Sequence, residues 1–388
     1  MNFDLSADQQ AIVCNISALM EDFDDDYWLT LDRTGDFPEA FYRKIVEAGW
    51  IGIAMPEAYG GAGLGITDAA LMMSTVANTA GAMAAASAIH INMFGPHPIV
   101  VFGSDEQKKA WLPPLIAGED RCCFGVTEPD AGLDSTNIKT VALQQGDHYV
   151  ISGRKLWTSC AKRANKIIIL ARTTPRAECA RPTDGISLFY TDLDRQYIET
   201  REIDKMGRKA VDSNMTFIDE LPVPKSHLIG EEGKGFRYIL HGLNPERILI
   251  AAEAIGVGRN ALDRAARYAR ERIVFGRPIG MNQAIQHPLA INWVELEAAY
   301  LMCMRAAAAY DQGLPCGALA NAAKYLAAEA GFKAATRAVM THGGMGYAKE
   351  YHVERLMREV MIPRLAPISM ELALSYVAEK VLNLPKSY

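Results

Sequence analysis

Glu246 and Arg247 put a carboxylate beside a guanidinium at the head of a strongly apolar run, "NPERILIAAEAIG", residues 244–256. Two kinds of chemistry fit that placement. In the first, Asn244 is a helix N-cap, Pro245 the first helical residue, and Glu246 a first-turn anion offsetting the positive end of the dipole. In the second, Glu246 is a general base in a dry pocket. The local sequence leaves both readings open.

Four further stretches carry residues that could bind or react. "FGVTEPDAGLDSTN", residues 124–137, gathers small residues, hydroxyls and backbone amides, as a loop that hydrogen-bonds a planar heterocycle and its phosphates would, or as any polar loop does. In "GRKLWTS", period-two alternation puts Trp157 and Ser159 on one strand face, where they could flank a flat ring; a core tryptophan reads the same way. In "YARERIVFGRPIGMNQAIQ", residues 268–286, an Arg-rich helix stops at Phe275-Gly276, turns at Pro278 and resumes with Gln283. Arg272 there can pair with a pyrophosphate, although the dipole favours an arginine at a helix C-terminus in any case. "THGGMGYAKEYHVERLMRE", residues 341–359, is a Gly-bearing turn whose amides could approach a phosphate or an adenine, or simply cap a helix.

The elements that must position these residues fall into three textures. Residues 1–120 read helical: Ser6 and Gln9 form a capping box ahead of "AIVCNISALM", and "PEAYGGAGLG" reads as a turn because it lacks GxGxxG spacing and a preceding strand. Residues 121–230 hold short β-branched and aromatic runs broken by Gly, Pro, Asp and Asn. Residues 231–388 return to helical periodicity. The 388-residue length predicts more than one small core. A net charge of −6 argues against nucleic acid as a partner. No stretch reads as an unbroken membrane span, and the N-terminus has no signal pattern. Seven cysteines without CxxC or Cys/His spacing predict reduced thiols and no metal, with Cys122 and Cys123 as buried small hydrophobes. A cytoplasmic location is the expectation.

Taken together, "VTEPDAGLD", "KLWTS", "RIVFGRPI" followed by Gln283, and "GGMGYAKEYHVER" resemble the acyl-CoA dehydrogenase family, in order and over essentially the whole chain. The resemblance implies an α+β fold: an N-terminal helical domain (1–120), a middle β-barrel-like domain (121–230) and a C-terminal four-helix bundle (231–388). It implies a homotetramer or homodimer with FAD between the β domain and the bundle, partly held by the neighbouring subunit. Val126 and Thr127 would meet the flavin, with Trp157 and Ser159 against the ring near N5. Arg272, Phe275 and Gln283 would reach the other subunit's FAD, joined by the backbone of Gly343 and Gly344. Phe124 and Ser369 belong to the same expected set. Leu133, where many members have Ser, Ser159 for the commoner Thr, and Met340 for Gln each weaken one polar contact.

The implied reaction oxidises an acyl-CoA thioester to the 2,3-enoyl thioester and passes electrons to an electron-transferring flavoprotein. The family keeps its base in one of two places. At the late one this chain reads "RLAPISMELA", with Ala366 and Pro367 where Tyr and Glu would stand. The other, used by the isovaleryl and long-chain branches, falls on Glu246, with Asn244 and Arg247 beside the substrate. Pro367 also lacks the N–H that would polarise the thioester carbonyl. The same scaffold is compatible with an acyl-CoA oxidase, an enoyl-CoA reductase or a desulfinase-type lyase, and with a flavin-binding protein without turnover.

Overall fold

The computed structural model describes residues 4–387. Seven helices come first: α1 (Ala7–Met20), α2 (Asp25–Thr34), α3 (Glu39–Glu47), α4 (Ile66–Ala77), α5 (Ala82–Phe94), α6 (His97–Phe102) and α7 (Asp105–Ile116). The expected capping box at Ser6 and Gln9 is present, and Ser104 with Gln107 forms a second one ahead of α7. "PEAYGGAGLG" is a hydrogen-bonded turn with one short 3-10 segment, Glu57–Tyr59.

The middle region is a twisted seven-stranded sheet of β1 (Cys122–Gly125), β2 (Val141–Gln145), β3 (His148–Ser159), β4 (Lys166–Arg172), β5 (Ile186–Asp192), β6 (Ile198–Glu202) and β7 (Ser213–Pro224). Their order is β1-β4-β2-β3-β7-β6, with β5 paired to β4. The runs "KIIILAR" and "ISLFYTD" are almost wholly buried, which explains their continuous apolar character.

The C-terminal region holds α8 (Gly235–Glu271), a small hairpin of β8 (Ile273–Val274) and β9 (Arg277–Pro278), α9 (Gln283–Asp311), α10 (Gly317–His342), α11 (Val353–Glu359), α12 (Ile362–Leu365) and α13 (Met370–Lys380). Helix α8 packs on α9 and α10 and also on α4 and α5, so one apolar core joins the N-terminal and C-terminal helices. Small residues permit the close approach: a Cβ added to Gly256 would meet the Ser74 carbonyl oxygen at 2.3 Å, and one on Gly331 the Ala254 oxygen at 2.5 Å.

One expectation is corrected. Helix α8 does not begin at "NPER": it starts at Gly235 and runs unbroken for 37 residues with Pro245 inside it. Pro245 has no N–H for the carbonyl four residues back, yet the buried packing of α8 carries the helix through it. Asn244 is therefore not an N-cap, and Glu246 is not a first-turn anion. By length and hydropathy alone Val353–Lys380 qualifies as a membrane-crossing stretch. It is three helices, α11 to α13, with a break from Ala366 to Ser369, and not a single long element.

Candidate active site

With the start of α8 ten residues earlier, Glu246 faces the interior from the middle of a helix. Its Oε2 atom is sealed from solvent and has no hydrogen-bond partner. Burial pushes its pKa up to about 7, against the lowering influence of His90 and Arg247 and with a further rise from Glu253. A carboxylate tuned to that value is half ionised near neutrality, where a general base is most effective. Asn244 and Arg247 are brought together beside it: the Arg247 Nη1 donates to Asn244 Oδ1 at 3.2 Å. Burial lowers the Arg247 pKa, and its Nε is left without a partner.

Glu253 lies seven residues after Glu246, two helical turns or ~10 Å along the axis on the same face. It is fully buried and hydrogen-bonded through Oε1 to His90 Nδ1 from α5, while its Oε2 has no partner. Burial pulls the imidazole pKa down, but the Glu253 carboxylate outweighs it and holds His90 above its ordinary value. Arg208, in the loop between β6 and β7 and held at φ 57°, completes the group. It donates from Nη1 to Ser87 Oγ at 3.2 Å, and from Nη2 to Ser159 Oγ and Ser213 Oγ, both at 3.3 Å. Burial lowers its pKa, while Glu253 is among the anions that oppose the shift. The sequence reading missed all three residues. A carboxylate inside "ILIAAEAIG" was the available signal for Glu253; His90 and Arg208 carry none, because their partners are remote in sequence.

On the β side, a buried lysine fixes the "VTEPD" loop. Lys155 Nζ donates to Glu128 Oε1 at 2.8 Å, to the Leu170 carbonyl at 2.7 Å and to the Val126 carbonyl at 3.3 Å. The Leu156 N–H donates to the Thr127 carbonyl at 2.8 Å. Val126 and Thr127 are thus held against β3. Burial takes the Lys155 pKa down to about 8 despite its carboxylate partner. The pairing of β3 with β7 slips by one residue between Lys155 and Thr158, so the simple alternation predicted for Trp157 and Ser159 is replaced by a bulge. Trp157 sits there at φ 61° and 53% exposed, with Thr158 buried behind it. Phe124 on β1 packs on Phe94, whose ring lies 4.7 Å from that of His90. Two routes, Phe124–Phe94–His90 and Ser159–Arg208–Ser87, therefore connect the expected cofactor strands to the buried group on α5 and α8.

The other expected cofactor residues lie far along α8. Arg272 is its C-cap, 26 residues and ~39 Å from Glu246. Phe275 and Gly276 form the hairpin tip at φ 52° and 76°, with Phe275 wholly exposed, and Gln283 opens α9. Tyr268 stacks on His342 at 4.2 Å, which brings the end of α8 to the end of α10. Exposed Met340 and the glycines 343 and 344 are there; no atom lies within 4 Å of a Cβ built on either glycine. Leu133 is also exposed. Ser369 caps α13, accepting from the Leu372 N–H at 3.2 Å. Beside it, buried Lys324 holds the Ile368 carbonyl at 2.7 Å, one residue past Pro367.

These features suit a dinucleotide with a flat ring. A non-glycine residue in left-handed backbone costs about 1–3 kcal/mol and persists where surrounding structure or a ligand fixes it. Trp157 and Phe275 are two such residues with exposed aromatic faces. The open glycine turn and Arg272 supply amides and a guanidinium for phosphate. All seven cysteines are free, Cys122 and Cys123 are buried as expected, and no His/Cys/Asp/Glu cluster able to hold a metal occurs among the described residues.

Three stretches match, in chain order, the acyl-CoA dehydrogenase N-terminal domain (6–119), middle domain (123–221) and C-terminal domain (233–382). Acyl-CoA dehydrogenase FadE12 of Mycobacterium tuberculosis is 35% identical over 396 residues, covering 99% of this chain and 98% of that protein. Subunit CarC of the caffeyl-CoA reductase-Etf complex of Acetobacterium woodii is 33% identical over 333 residues, 86% of each chain. The solved structure of a glutaryl-coenzyme A dehydrogenase glutaryl-CoA complex superposes with a TM-score of 0.94 at 32% identity, covering 100% of this chain and 98% of that one.

Proposed function

Because the chain belongs to the acyl-CoA dehydrogenase family, we propose that it oxidises an acyl-CoA thioester to the 2,3-enoyl thioester and passes the electrons to an electron-transferring flavoprotein. It is an oxidoreductase, and the family cofactor is FAD, which supplies the hydride acceptor when bound. The observation that carries this reading is Glu246: a sealed, unpartnered carboxylate oxygen on a partly buried residue, on a helix that packs against α5, with a pKa of about 7.

In this reading Glu246 removes the Cα proton, and its neutral form is tolerated in the same dry surroundings. Val126, Thr127, Trp157 and Ser159 bind the ring, and the Lys155–Glu128 pair keeps their loop in place. Arg247 and Asn244 lie beside the substrate. Arg272, Phe275, Gln283, Met340, Gly343 and Gly344 stand at the far end of α8 from Glu246, a placement that suits service to the FAD of a second copy in a homo-oligomer. The flavoprotein acceptor is supported by the CarC relative, which belongs to an Etf complex. That protein's name also supports a second reading, reduction of an enoyl-CoA on the same residues.

Glu246→Gln is the test, with acyl-CoA bleaching of the flavin followed under nitrogen. The bleaching rate should fall by about 10²–10⁴-fold while FAD and ligand remain bound. In the unmodified enzyme the rate should rise with pH through about 7 and then level, because ionisation makes the base; the variant should lose that limb. Full activity in the variant would overturn the assignment. Turnover only in the reverse direction, with reduced flavin giving two electrons to an enoyl-CoA and none taken from the acyl-CoA, would favour the reductase.

A further inference from the structure

Two contacts fix how α5 and α8 lie against each other. His90 on α5 meets Glu253 on α8, and Phe94, one turn after His90, lines a small apolar pocket with Leu249 and Pro245, one and two turns before Glu253. The helices therefore run antiparallel here, and the His90 ring comes in against the stretch of α8 that begins at Glu246 and ends at Glu253. The charged groups acting on Glu246 are His90 from α5 and Arg247 and Glu253 from its own helix. Those acting on His90 are the two glutamates and Arg208 from the β6–β7 loop. Burial is the first cause of the raised Glu246 pKa; His90 is the strongest of the charges on it and lowers it, while Glu253 is the weakest and raises it. The buried pair thus turns its positive end to the base. On His90 itself, burial and Arg208 oppose a charge, and Glu253 is the larger of the two anions that hold it.

We propose that His90 and Glu253 are positioning residues for the base: Glu253 orients the His90 ring and keeps it charged, and the ring keeps Glu246 ionised at neutral pH. The inference rests on the reading of Glu246 as base. Its sealed oxygen has no hydrogen bond, so the anion is stabilised there by charge alone. A lone cation in that interior would itself be costly to bury. Paired with Glu253, His90 is close to neutral overall and still presents a directed positive charge, because its ring nitrogen is tied to the carboxylate on the side away from Glu246 along α8.

The test is the pH profile of flavin bleaching under nitrogen by FAD-loaded protein. The probe is whichever of butyryl-CoA, isovaleryl-CoA and octanoyl-CoA bleaches the unmodified enzyme fastest, and retained FAD shows that each variant is folded. In His90→Gln the limb that rises through about 7 should move up by about one pH unit, because the cation is gone and the base binds its proton more tightly. The rate at pH 7 should then fall about fivefold, while the level reached at high pH is kept. His90→Lys, which keeps a cation beside Glu253, should bring the limb back towards its original position. Glu253→Gln, nearly isosteric, should move the limb the same way by less, since the ring gives up its proton without the carboxylate. It is also the variant to read should His90→Gln not retain FAD. A limb that stays at about 7 in both glutamine variants, whatever the loss of overall rate, would make the pair structural only and overturn the proposal. A downward move in Glu253→Gln would overturn it too, because the ring would then be charged without Glu253. Glu246→Gln separates the two readings. A limb that survives in it removes the base assignment, whereas a limb lost there yet unmoved in His90→Gln removes only the role of the pair.

Discussion

The middle and the end of α8 place functional residues in opposite environments. Glu253 is fully buried and Glu246 partly so, and each carries a sealed carboxylate oxygen without a partner. Around Arg272 and Phe275 they are exposed, and it is the backbone that is unusual, with both hairpin-tip residues in the left-handed region. One helix therefore carries two candidate sites of different physical character. In its middle, loss of water sets protonation, as the rise of Glu246 to about 7 shows. At its end, a turn in left-handed backbone is left uncovered.

The contrast is sharpest in what mutation should cost. Glu253→Ala leaves the His90 imidazole buried without its carboxylate, and breaking a buried pair in this way costs about 3–5 kcal/mol. Urea unfolding should show a loss of unfolding free energy of that size; a change below about 1 kcal/mol would mean that the pair is not what holds this region. At the other end, Arg272→Ala should cost little stability, about 0.3–1 kcal/mol. It should raise the Kd for FAD by about tenfold, because a charge-assisted contact to phosphate is lost. Unchanged flavin content after dialysis would detach Arg272 from the cofactor.

The smallest effect belongs to the hairpin tip. Phe275→Gly removes the left-handed penalty of a side chain at φ 52° and should stabilise the apoprotein by up to roughly 1 kcal/mol. The same change should weaken FAD retention, since the exposed ring is what the strain maintains. A thermal shift of the apoprotein read beside flavin content separates the two effects. Loss of stability together with unchanged retention would make the turn a structural feature of the bundle only.

Much of this layout was legible along the chain. Periodicity and punctuation separated helical, β and helical regions, because burial on one face leaves a repeat of 3.6 or 2 whatever the neighbours are. The capping box at Ser6 and the Gly-bearing turn at 343–344 follow from local backbone chemistry, which residues within a few positions decide, whereas the Arg-rich helix, expected to stop at Phe275-Gly276, ends at Glu271 and a hairpin turns there instead. Four short motifs in order were enough for the family, which the domain matches over 6–119, 123–221 and 233–382 bear out.

What the chain could not decide by itself was the environment of Glu246. Asn244 and Pro245 are sound local signals for a helix start, and they were overruled by packing of α8 against α4, α5, α9 and α10. Only that packing removes water from Glu246, and only it brings His90 to Glu253 across 163 residues and Arg208 to Ser87 across 121. The bulge at Trp157 likewise depends on how β3 pairs with β7. Local chemistry, then, determined where most elements begin, turn and end, with exceptions at Pro245, at the Trp157 bulge and at the end of α8. Desolvation and the pairing of remote charges exist only after distant segments meet, so protonation and polarity at the site were settled by the tertiary structure.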